Sequence, residues 1–168
     1  MSGYRLVGLS SIAIGNYGAT GLMGTTLTSI TGILPDSATF AIPDPGDTKF
    51  FIEDGDYPDV TIANVSEPYI EFATVDMDPA NFALAFGGTG AGTLFSASYT
   101  ALDIRERSIR AIGKDIAGNQ VSIDVPRASL RGNTNLQFAR STEGSIGFRA
   151  DVMLPTTSAE APWKIRIL

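Results

Sequence analysis

A chain of 168 residues, 43% of them apolar, is long enough for one domain with a real core, and it contains neither cysteine nor histidine. That composition excludes a disulfide scaffold, thiolate or imidazole metal sites, and nucleophilic chemistry built on a Cys or on a Ser–His pair. Net charge is −6, and charged residues make up only 18% of the chain, below the share of about 25% usual in a soluble domain. So few charges suit a protein that either has a small exposed surface or hides much of it against neighbours. The charge is also split. Residues 1–103 carry twelve carboxylates against Arg5 and Lys49, net −10, whereas residues 104–168 carry ten cations against six carboxylates, net +4. Such halves suit surfaces that meet head to tail, and equally halves that fold together and mix their charges.

Taken in chain order, "RLVGLSSIAIG" is too short, and too broken by Gly8, Ser10 and Ser11, for the centre of a signal peptide, and it reads as the first strand. No apolar run approaches the ~18 residues of a membrane span. "SATFAI", "DVTIANV" and "EPYIEFATV" are strand-like runs between turn signals such as Pro43-Asp44-Pro45-Gly46 and Asp54-Gly55-Asp56. One helix is predicted over about 78–86. Asp78 can cap it, Pro79 suits its first turn, and Phe82 and Phe86, four apart in "ANFALAF", are expected to face the core.

Four glycines, Gly87, Gly88, Gly90 and Gly92, follow that helix. A phosphate-binding loop precedes its helix, where free N–H groups and the positive dipole end face the anion. Here the order is reversed and the P-loop Lys is missing, so Gly87 is expected to end the helix in the left-handed conformation.

"LDIRERSIRAIGK" has both helical and extended character, and the hairpin signal after it favours a strand. "IGKDIAGNQVSI" reads as that hairpin, turning near Ala117-Gly118-Asn119. "VSIDVP" sets Val121, Ile123 and Val125 against Ser122 and Asp124. "NLQFAR" alternates around Leu136 and Phe138. "SIGFRADVML" sets Ile146, Phe148, Ala150, Val152 and Leu154 inward. The segments "TGLMGTT" and "PTTSAEAP" look flexible in isolation. The closing "WKIRIL" is apolar and β-prone, and is expected to dock on a sheet edge, its own or a neighbour's. No composition break marks a second domain. The expected fold is a single, mainly β domain, an antiparallel sandwich or barrel with one short flanking helix.

Two charged clusters are candidate sites. "EDGDYPDV" groups Glu53, Asp54, Asp56 and Asp59; it lacks the spacing and distal glutamate of a calcium loop, so a solvated hairpin tip or a docking loop is expected, with no metal. "IRERSIR" holds Arg105, Arg107 and Arg110, residues suited to bidentate pairing with carboxylates of another copy, or to an ordinary solvated face. With a pI of about 4.5 and no basic patch interleaved with aromatics, tight nucleic-acid binding is not expected. No catalytic set and no cofactor site emerge.

The order of these elements resembles the major tail, or tail tube, proteins of long-tailed bacteriophages. The similarity runs from "LSSIAIG" through the acidic loop "IPDPGDTKFFIEDGDYPDV", the helix "DPANFALAFGG" and "VPRASLRGN" to "ADVMLP". The resemblance implies a structural, non-enzymatic virion protein. Its subunits would form hexameric rings that pool their sheets into an inner barrel and stack into a tube. The tube would hold the tape-measure protein, meet tail-terminator and tail-tip proteins, and pass DNA without binding it specifically. Assembly in the host cytoplasm is implied, without a membrane. An acidic lumen would repel phosphates. By position the matching stacking segments are the loop 43–59, with Asp47, Glu53, Asp54, Asp56 and Asp59, and the arm 155–168, with Trp163, Ile165 and Ile167; Arg105, Arg107 and Arg110 are the candidate counterpart. The alternatives are the inner tube of a contractile injection device and a monomeric β-sandwich binding module.

Overall fold

A computed structural model describes residues 6–44, 46–51, 58–63, 66–98, 105–115, 118–135 and 144–168. The protein is mainly β, as the period of two predicts, and among the described residues all strand pairing is antiparallel and there is one helix. The arrangement is sandwich-like and is not a closed barrel.

Seven strands follow one another along the main sheet, in the order β2 (Leu27–Ile30), β1 (Leu6–Asn16), β9 (Arg105–Asp115), β10 (Gln120–Asn135), β11 (Ser145–Val152), β6 (Tyr69–Thr74) and β3 (Thr39–Ala41). The ambiguous "RERSIRAIGKD" is therefore strand, and β9–β10 is the predicted hairpin, with Lys114 opposite Gln120 and Gly118 at φ 87° in the turn.

The sixteen-residue β10 pairs with three other strands of the sheet. Its register with β9 slips between Val125 and Ala128, a bulge that contains Pro126. Before the bulge, β10 pairs on its other side with β12 (Lys164–Ile167); after it, with β11. The buried Ser108 hydroxyl donates to the Pro126 carbonyl at 2.6 Å and accepts from Gly24 N–H at 2.8 Å, so the irregular backbone stays satisfied. Beyond β2, the chain crosses to the far rim of the sheet. There Ile33 bridges Thr74, and the buried Thr74 hydroxyl donates to the carbonyls of Thr31 and Gly32.

The core lies inside this fold. Ile12, Ile14, Ile109, Leu130, Ile146 and Ala150 are almost fully enclosed, and Phe72 stacks on Phe148 with ring centroids 4.8 Å apart. Ile146, Phe148 and Ala150 point inward as expected; Leu154 does not, because the strand ends at Val152 and Leu154 lies exposed beyond it. Ser122 and Asp124, on the expected outer face, are also buried.

The helix α1 (Pro79–Phe86) begins as predicted: the Asp78 carboxylate accepts from Ala80 N–H at 3.0 Å, with Pro79 at the first position. Its inward face differs from the expectation. Asn81 and Ala85 are buried, Phe82 is partly buried against the core, and Phe86 is 36% exposed at the rim. The cause is close approach. Gly132 of β10 lets the helix backbone come so near that a Cβ there would lie 2.7 Å from Ala85 Cα. Only the small Ala85 fits that contact, so the two phenylalanines lie to its sides. Gly87 ends the helix, its N–H bonded to Ala83 O at 3.0 Å; its φ of 75° is positive, as expected of a glycine there, but its ψ of 178° lies outside the left-handed helical region. The remaining glycines continue into a short hairpin, β7 (Thr89–Ala91) with β8 (Leu94–Ser96), that the sequence reading did not anticipate. Phe95 of β8 packs on Phe82 at 5.5 Å.

Candidate assembly surfaces

Two paired strands flank the acidic cluster of the sequence. β4 (Asp47–Phe51) pairs with β5 (Pro58–Ala63), and the two form a sheet of their own, separate from the main sheet. Asp47 and Asp59 lie on these strands; Glu53, Asp54 and Asp56 of the tip lie outside the described residues. Among the described residues, no three carboxylates converge on a common point.

The three arginines do not form one free basic stripe. Arg105 and Arg107 share a strand parity with the core residues Ile109 and Ala111, and Arg110 has the opposite one. Arg105 reaches the end of α1 and donates to the carbonyls of Ala83 (3.1 Å), Leu84 (2.7 Å) and Ala85 (2.9 Å). It thereby binds the orphan acceptors and the negative dipole end of a helix with no basic residue in its own last turn. Arg105→Ala should lower the unfolding free energy by about 1–2 kcal/mol, measured by urea titration, since it removes charged hydrogen bonds at a partly buried site. Arg107 donates to Asn16 Oδ1 at 2.8 Å. Arg110 makes a bidentate pair with Asp124, Nε–Oδ1 2.6 Å and Nη2–Oδ2 3.1 Å, which holds the guanidinium pKa above its ordinary value. The expected pairing of these arginines with a neighbour's acidic loop would therefore compete with partners already present in the chain.

The terminal arm docks on its own sheet. β12 lies antiparallel to β10, with Ile165 opposite Ile123 and Ile167 opposite Val121, and Arg166 Nε meets Asp124 Oδ2 at 3.2 Å. Asp124 therefore joins three strands, through Arg110 of β9 and Arg166 of β12. Trp163 packs edge-on against Phe40 of β3 at 5.6 Å, whereas Ile165 and Ile167 each remain 55% exposed.

A clasp that the linear sequence did not reveal ties the two segments that look flexible in isolation. The Tyr17 hydroxyl donates to Gly21 O at 2.8 Å and accepts from Thr156 N–H at 2.8 Å. Arg127 lies 5.5 Å from the Tyr17 ring centroid, pairs with Glu106, and donates to Leu154 O. Of these, only "Tyr between glycines" was a usable sequence signal, and it is a weak one.

The outer face of β10, β11 and β6 carries a second ionic ladder. Arg149 pairs with Glu71 at 2.7 Å and with Asp151 at 2.9 Å, lies 4.1 Å over the Tyr69 ring, and Arg131 also meets Asp151. Burial alone would raise the Asp151 carboxyl, but the two arginines outweigh it and hold the pKa below the ordinary value of about 3.8. A carboxylate depressed on folding adds stability above its unfolded pKa and loses it as pH falls through the folded one. Acid unfolding of Asp151→Asn should therefore lose part of the parent's dependence below about pH 4, as followed by circular dichroism. An unchanged acid limb would remove Asp151 from that role.

No protein-family model matches the chain, and no curated protein matches it. Among the described residues, no helix is long and apolar enough to cross a membrane.

Proposed function

We propose that this chain is a structural subunit that assembles into stacked rings, forming the tail tube of a long-tailed phage and the conduit for its DNA. The observation that carries the reading is the acidic hairpin. It is a sheet separate from the body, inserted between β3 and β6, in the position where the resemblance asks for an extended stacking loop. Among the described residues β2 and β3 have no further strand beside them, and such edges are what ring closure by pooled sheets requires. The role is structural and needs no cofactor; DNA is a passenger. A monomeric binding module would want an exposed aromatic platform. Against that, Trp163 is packed on Phe40, and Tyr69 lies beneath Arg149.

The test is mass and shape against concentration, by light scattering on a sizing column and negative-stain images of the same fractions. Rings or tubes with a central hole are expected as concentration rises or when tail-tip complexes are added as seeds. A strict monomer under all these conditions would overturn the reading.

A further inference from the structure

Arg107 stands apart from the other arginines of the sheet. Arg110, Arg127, Arg131, Arg149 and Arg166 each meet a carboxylate, and Arg105 caps α1. Arg107 meets no carboxylate among the described residues. Its Nη1 donates to Asn16 Oδ1 at 2.8 Å and to the Glu106 carbonyl at 3.3 Å, while Nε is enclosed without an acceptor. A guanidinium cannot shed its charge, and its remaining donors call for an acceptor. The neighbouring Glu106 does not supply one. Successive strand residues face opposite sides, and the Glu106 carboxylate pairs with Arg127.

Register places this charge at the end of the core. Arg107 lies opposite Asn16 in the β1–β9 ladder and shares its face with the buried Ile109. Thr28 lies opposite the buried Ile14, on that same face. A Cβ at Gly15 or Gly24 would overlap the carbonyl oxygen of Thr26 or Asn16, so both glycines are needed to bring residues 24–28 against β1. Ala80 and Leu84, one turn apart on α1, also line the space. The result is a pocket of about 500 Å³ in which Arg107 is the one charged lining residue among those described, joined by Thr25, Thr26 and Thr28.

We infer that this pocket binds a small tetrahedral oxyanion of the phosphate type, with Arg107 supplying the charge and the three threonines the hydroxyl donors. An uncompensated cation in a pocket lined by no described carboxylate favours an anion. The donors come from two elements, β9 and residues 25–28, which suits an anion with oxygens in several directions. A planar carboxylate meets a guanidinium in a single fork. The volume lies within the ~300–1,000 Å³ usual for small-molecule sites, and the net charge of −6 disfavours an extended polyanion. The site does not depend on how the chain assembles.

The test is the melting temperature of the full chain at low protein concentration, titrated with inorganic phosphate and, at matched ionic strength, with sodium chloride or sodium acetate. The parent is compared with Arg107→Gln and Ala80→Glu. A ligand held by the native state raises the melting temperature with its concentration relative to its dissociation constant. The general stabilisation by phosphate, which works by exclusion from the surface, persists in the variants and is subtracted. Ala80 is exposed in the first turn of α1, where a glutamate suits the helix dipole, so Ala80→Glu keeps the fold and sets a carboxylate beside the pocket. The expected result is a phosphate-specific rise in the parent, with apparent binding about tenfold weaker or more in both variants. Should Arg107→Gln fail to melt cooperatively, Ala80→Glu carries the comparison. Equal responses in the parent and Ala80→Glu, or a parent that responds to chloride as it does to phosphate, would overturn the site. Acetate acting as strongly as phosphate would overturn the tetrahedral assignment.

Discussion

Gly132→Ala should unseat α1 and cost about 3 kcal/mol of stability, the upper part of the usual range for overpacking a filled interior. The added methyl would lie 2.7 Å from both Cα and the carbonyl oxygen of Ala85. These are backbone atoms, so no side-chain rotation relieves the overlap, and the helix must move. Movement would also pull the last carbonyls of α1 away from Arg105. The expectation is a lower urea midpoint with little change in slope, which marks lost stability without a change in the surface exposed on unfolding. Phe86→Ala is the contrast. With the ring 36% exposed at the rim, it should cost only about 1–2 kcal/mol, less than the 3–5 typical of a core phenylalanine. If Phe86→Ala proved the more damaging of the two, the inward face assigned to α1 would be wrong.

Asp124→Ala is the second large effect, about 2–3 kcal/mol. The Asp124 side chain is 1% exposed and meets two guanidiniums that are 36% and 52% exposed. Removing one partner of a buried pair typically costs ~3–5 kcal/mol because a charge is left stranded. Both arginines here can still reach water, so the expected loss is smaller. The damage should be local to the C-terminal strand. β12 is four residues long and half-exposed, and Asp124 meets its Arg166 across the ladder. Limited proteolysis should therefore cut the variant between Leu154 and Trp163 well before the parent, with the rest of the sheet intact. Equal cleavage of both proteins would show that Trp163 against Phe40 suffices to hold the arm.

How much of this was legible beforehand follows from the range of the forces involved. Period-two alternation in "SIGFRADV" identified Ile146, Phe148 and Ala150 as inward, because a half-buried strand writes its two faces into neighbouring positions. The Asp78–Pro79 start of the helix was equally legible, since capping is settled within a few residues. The polarity of the helix was enough to set aside a phosphate loop at the glycines after it. The inward face of α1 was not legible: it depends on Gly132, some fifty residues away, meeting Ala85. Nor were the partners of Arg105, Arg110 and Arg127, three similar side chains that end on a helix, a buried carboxylate and a loop clasp. The sequence by itself determined the β class, the start of the helix and the separation of acidic from basic segments, all of which are local or compositional; the turn signal Gly132-Asn133, by contrast, lies inside β10. The tertiary structure decided which strand β12 covers and which partner each arginine meets, because long-range pairing chooses among contacts that local pattern leaves equivalent.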